Sequence, residues 1–181
     1  MNKDLTAQLY IDYPEIFTRV TMERPNRFLG ISCGDGWYHI VDETCRAIKD
    51  YVDDVNKDRE RHRKFREIMD TSGQEEVPSW FTAWEELEDI PADLDMPHAI
   101  QIKEKFGTLS FYTSSRDKTA QWIIGMGSRM SGVTCEECGC PGKRVGGSWI
   151  KTLCKEHAEI KVAADDKRKA GYMAGDKGPV N

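Results

Sequence analysis

Apolar residues recur at three- and four-residue steps from Trp37 through Ile40, Val41, Cys45, Ile48, Val52 and Val55, the period of one face of an α-helix. The spacing predicts a long helix from about Gly36 to about Phe65. Asp35, between two glycines, is placed to cap it. The pattern changes after Ala99. Ile100 and Ile102 alternate with polar residues, Gly107 marks a bend, and Leu109 and Phe111 alternate again. This predicts an antiparallel hairpin with one face on the core and Lys103, Lys105 and Tyr112 on the other. Helical spacing returns in Trp122, Ile123, Met126 and Met130, the expected buried stripe of a helix ending near Met130. Ser114-x-x-Asp117 resembles a capping box that opens this helix, while Gly125 and Gly127 weaken it and allow close backbone approach. Short helices are expected over 3–11 and 15–17, a loop over 20–28, and a polar helix from Lys155 to about Tyr172.

Candidate chemistry concentrates between the last two helices. Cys135-Glu-Glu-Cys138 and Cys154-Lys-Glu-His157 each place two metal-type ligands three apart. Zn²⁺ takes four tetrahedral nitrogen or sulfur ligands, and a two-residue spacer lets one turn aim both side chains at one ion. Gly139 follows the second cysteine, where the backbone turns. A helix starting near Cys154 brings Cys154 and His157 onto one face. Turn, glycine-bearing hairpin and ligand-bearing helix make a treble-clef-like zinc finger. Four protein ligands close the coordination sphere, so the expected role of one zinc ion is structural. Cys140 is a fifth candidate ligand able to replace Cys138 or His157, but Cys-x-x-Cys-Gly is the better-formed turn.

Charge divides the chain. From Thr134 onward there are 9 Lys/Arg against 7 Asp/Glu, a net of +2, whereas residues 1–133 carry a net of −7. Such a balance does not mark a strong non-specific nucleic-acid binder. From Glu67 to Ile102 there is no Lys or Arg but ten Asp/Glu. Within this acidic excursion Trp80, Trp84, Glu85 and Glu86 form a candidate surface for a protein partner. A basic run (Lys57, Arg59, Arg61, Arg63, Lys64, Arg66) closes the long helix, as a helix dipole favours. No apolar run approaches a membrane span. The N-terminus lacks the basic and apolar regions of a secretory signal. A cytoplasmic location with reduced thiols is therefore expected, favouring metal binding over disulfides. The expected fold is α+β: helices on a small antiparallel hairpin or sheet. The expected organisation is a body over 1–130 with the excursion at 67–102, a zinc-finger module over 131–174, and a disordered tail over 175–181.

Three segments together resemble a family of small proteins encoded in phage and prophage genomes. They are Cys33-Gly-Asp-Gly-Trp37 before a helix, Lys103-Glu-Lys-Phe-Gly-Thr-Leu-Ser-Phe-Tyr112 in a hairpin, and Cys135-x-x-Cys138-Gly through Gly147, Trp149, Thr152, Leu153 and Cys154. His157 stands where a cysteine often does in that family, and the acidic stretch from about Asp70 to Pro97 is longer. The resemblance brings no catalytic residues. It implies a small accessory protein, cytoplasmic in the host cell, that acts on a host factor, host defence proteins included, by binding rather than by turnover.

Two other readings use different residues. Lys143, Arg144 and Lys151 around the finger loop, with Trp149 able to stack on a base, make a candidate nucleic-acid or nucleotide site. Cys33, Asp35 and His39 are the visible candidates for a small enzyme, but no third orienting group or oxyanion motif accompanies them.

Overall fold

A computed structural model describes residues 1–17, 30–72, 92–146 and 149–173. Helices α1 (Lys3–Asp12) and α2 (Pro14–Phe17) open the chain, followed by strand β1 (Ile31–Ser32) and a 3₁₀ turn at Asp35–Trp37. The long helix α3 spans Tyr38–Ser72. Strands β2 (Ala99–Lys105) and β3 (Thr108–Thr113) precede helix α4 (Lys118–Ser131). Strands β4 (Lys143–Val145) and β5 (Lys151–Leu153) precede the last helix, α5 (Lys155–Met173). The fold is α+β, as the two hydrophobic periods require.

One sheet has the order β1-β2-β3, with β1 parallel to β2 and β2 antiparallel to β3. A separate two-stranded ladder pairs β4 with β5. The core lies between α3, the sheet and the first two helices. Trp37, Val41, Cys45 and Ile48 from one side meet Leu9, Ile16, Ile102 and Leu109 from the others. Burial of each such side chain contributes about 1.5–3 kcal/mol. The indole N–H of fully buried Trp37 donates to the Thr134 carbonyl at 2.8 Å, so its polar edge is satisfied.

Three local expectations are corrected. Asp35 does not cap the long helix, because Asn2 occupies its carboxylate from the backbone N (2.6 Å) and Nδ2 (2.8 Å). Gly34 therefore precedes a 3₁₀ turn without a side-chain cap. Asp117 is itself the N-cap of α4, accepting from the Ala120 N–H at 2.9 Å, and the Ser115 hydroxyl, not Ser114, accepts from the Asp117 N–H. Ile102 faces the core as expected, but Ile100 is exposed, because a register shift between Ala99 and Gln101 puts Ala99 inward in its place.

The largest departure concerns α4. Trp122, Met126 and Met130, expected inside, are 65%, 54% and 49% exposed, and Ile123 is half-buried. The helix instead buries Ala120, Ile124, Gly127 and Ser131. A Cβ built on Gly127 would stand 2.4 Å from the Thr44 hydroxyl of α3. Small residues let the two helices approach closely, and this geometry outweighs the larger apolar side chains on the opposite face.

The basic run on α3 is consumed locally. Lys57 pairs with Asp54, Arg61 with Asp58, Lys64 with Glu60, and Arg63 with both Glu60 and Asp93. Arg59 donates to the Ala92 carbonyl, and Asn56 exchanges two hydrogen bonds with the Leu94 backbone. These contacts lay residues 92–94 along the helix. Among the described residues, no helix is long and apolar enough to cross a membrane.

Candidate metal centre

The first ligand turn is built by its own backbone. Cys135 N–H donates to the Cys140 carbonyl at 2.7 Å, and Gly139 N–H returns to the Cys135 carbonyl at 2.9 Å. Gly139 has φ +77°, a left-handed conformation that an L side chain would strain. Across the turn, Gly142 N–H donates to Val133 and Glu136 N–H to Thr152, which brings β5 alongside. The second pair sits at the start of α5. Cys154 precedes the first helical residue, its carbonyl accepts from Ala158 N–H, and His157 lies one turn on.

Cys135, Cys138, Cys154 and His157 offer ligand atoms that all lie within 4.8 Å of one another, an arrangement that could hold one metal ion. The Cys154 Sγ is 3.1 Å and the Cys135 Sγ 3.6 Å from His157 Nδ1, and Cys138 Sγ is 3.8 Å from Cys154 Sγ. Nδ1 is thus the imidazole nitrogen facing the sulfurs. Burial opposes the Cys135 thiolate. Backbone N–H groups of Cys154, Cys138 and Glu137 overcome that penalty and bring its pKa down to about 7. Cys140, the fifth candidate ligand, is exposed and lies outside the cluster. Its carbonyl accepts from the Cys135 N–H, and its backbone N–H and thiol both face the Cys138 sulfur.

The residues missed by sequence reasoning are those that fasten this centre to the body. Gly36 N–H donates to the Glu136 carbonyl at 2.8 Å, and Gly34 N–H to the Glu136 carboxylate at 3.0 Å. A Cβ on Gly36 would lie 2.3 Å from the Cys135 carbonyl and 2.6 Å from the Cys138 nitrogen. A Cβ on Gly34 would lie 2.2 Å from the Glu136 carbonyl. The Cys-Gly-Asp-Gly-Trp segment is therefore the cradle of the ligand turn, about 100 residues away in sequence. The only local signal was the pair of glycines flanking Asp35. Buried Glu136 is balanced by Lys151 at 3.3 Å, which also reaches Glu137 at 3.2 Å.

The other candidates fall in different places. Cys33 is buried, and desolvation pushes its thiol up to about 12, so it is protonated at neutral pH and is not an activated nucleophile. Asp35 is held by Asn2, and His39 packs edge-on against Tyr38. Lys143, Arg144 and Trp149 are exposed on the β4–β5 hairpin, whereas Lys151 turns toward the two glutamates. Trp80, Trp84, Glu85 and Glu86 lie outside the described residues. Comparison of the chain with family models, with curated proteins and with solved structures gave no match.

Proposed function

We propose that this chain is a phage-encoded, zinc-stabilised binding protein that acts on a host factor by protein–protein contact and performs no chemistry of its own. The ion is zinc, held by three thiolates and one imidazole in a treble-clef-like finger. Zn–S bonds of about 2.3 Å imply tetrahedral S···S edges of about 3.8 Å, which matches the 3.8 Å between Cys138 and Cys154. Thiolate-rich sites with one histidine suit Zn²⁺, whose structural sites are four-coordinate. The observation that carries the reading is this closed set of four protein ligands. With every tetrahedral position taken, the ion has no place for an activated water, and its role is to hold the finger on the body.

The host setting rests on the resemblance to phage and prophage proteins. The binding surface rests on Trp80 and Trp84 within the acidic excursion, where large aromatic residues close in sequence to Glu85 and Glu86 suit a basic protein partner. Proteins of host defence systems are the first class to test. The test is affinity capture from the host bacterium, with native mass spectrometry of the eluted complex. The wild-type chain should retain a stoichiometric partner and one zinc. A Trp80→Ala/Trp84→Ala variant should keep the zinc and lose the partner. Capture unchanged in that variant would place the surface elsewhere, and enzymatic turnover by the zinc-loaded chain would end the non-catalytic reading.

A further inference from the structure

We propose that the tips of the β2–β3 and β4–β5 hairpins together form a platform for single-stranded nucleic acid, separate from the protein-binding surface above. The two hairpins are distant in sequence but joined in the fold. The Thr152 hydroxyl of β5 donates to the Gly107 carbonyl at the β2–β3 tip (2.5 Å). A Cβ on Gly107 would stand 3.1 Å from the Ile150 side chain and 3.4 Å from that of Arg144. One tip presents Phe106, 69% exposed, and the other Trp149, 68% exposed.

Phe106 has an unusual backbone. Its φ is +53°, the only described residue other than glycine with positive φ, and Gly107 follows at +77°. Two consecutive left-handed residues make the tight hairpin turn that Asn-Gly forms most easily. A phenylalanine there is strained and, being exposed, gains little from burial to offset the strain. The fold has no use for this ring, whereas a ligand that stacks on it does.

The charges around the two rings point to phosphate. Lys105 Nζ lies 5.5 Å from the centre of the Phe106 ring. Lys143 and Arg144 are exposed on β4, and among the described residues neither they nor Lys105 has a carboxylate within ion-pair distance. The nearby acids are occupied: Glu104 accepts from the Gly107 N–H, and Glu136 and Glu137 hold Lys151. Flat aromatic faces flanked by free cations are how proteins hold unpaired bases and their backbone without reading sequence. Lys105 and Phe106 thus take the place expected of Lys151, which is held by the two glutamates. A duplex keeps its bases stacked on one another and offers the rings nothing. The acidic body limits affinity, so binding belongs in the micromolar range at low salt.

The experiment is fluorescence anisotropy of the zinc-loaded chain with labelled oligo-dT and oligo-U of about 15 nucleotides, a length within single-strand site sizes. Both should bind. Phe106→Ala and Trp149→Ala should each weaken binding on the order of tenfold. Lys143→Glu with Arg144→Glu should reduce it beyond detection. Three neutralised phosphates predict a log–log salt slope of about −2. Phe106→Asn, which relieves the turn, provides a variant whose folding is not in question and should lose binding like Phe106→Ala. Absence of binding to either oligonucleotide at low salt would overturn the proposal. So would binding indifferent to both aromatic substitutions, or equal affinity for a duplex of the same length.

Discussion

The turn at Gly34–Gly36 and the turn at Phe106–Gly107 both lie against the C-terminal finger, but the finger encloses the first and leaves the leading residue of the second in solvent. At the first, both glycines are required by contact: their missing side chains would overlap the Glu136 and Cys135 carbonyls. Their N–H groups satisfy the Glu136 carbonyl and carboxylate, so the turn and the ligand loop form one hydrogen-bonded unit. At the second, Gly107 is required by its φ, and only the Thr152 hydroxyl and nearby side chains touch it. Glycine at the first turn serves assembly of the metal centre. At the second it serves presentation of a ring that folding alone would not favour.

This contrast can be broken by substitution, starting with the enclosed turn. Gly36→Ala should cost about 3 kcal/mol, since backbone atoms of the ligand loop must move to admit a methyl group. Denaturant unfolding of the zinc-loaded protein measures this, and a change below 1 kcal/mol would mean the two segments do not interlock. A smaller effect is expected at the α3–α4 crossing. Gly127→Ala gains helix propensity of roughly 1 kcal/mol but drives a methyl group into the Thr44 hydroxyl. A net loss of about 1 kcal/mol is expected, and Thr44→Ala in the same chain should recover it. Failure of that rescue would place the close approach elsewhere. At the exposed turn the sign should reverse. Phe106→Asn should raise stability by up to about 1 kcal/mol, because asparagine tolerates the left-handed conformation. A loss there would mean the ring contributes to folding after all.

What the sequence made legible follows the range of each interaction. The ligand cluster was readable because a two-residue spacer is a local rule, and the four residues it named do meet. The α3 stripe and the hairpin were readable because each obeys a single period along one element. The orientation of α4 was not, because hydrophobicity favours Trp122 and Met126 while packing favours Gly127 and Ser131. Close helix approach has no signature in the apolar count. Ile100 was misplaced by one extra residue, since a strand reverses its faces when its register slips. Asp35 had the right type for a cap but a stronger partner in Asn2, 33 residues away. The cradle role of Gly34 and Gly36 depends wholly on a contact that sequence distance conceals.

Metal content and thermal unfolding of the untagged chain, purified without chelator, decide whether the finger is held by zinc and in turn holds the body. Native mass spectrometry should find one zinc per chain, and Cys138→Ser should abolish it. Stripping the ion from the wild type should also disturb the body, because Trp37 and the Gly34–Gly36 turn are bonded to Thr134 and Glu136. Structural zinc contributes folding free energy outright, so the near-ultraviolet signal of Trp37 should be lost and the unfolding midpoint should fall by well over ten degrees. A metal-free chain that melts at the same temperature with the same tryptophan signal would contradict the account.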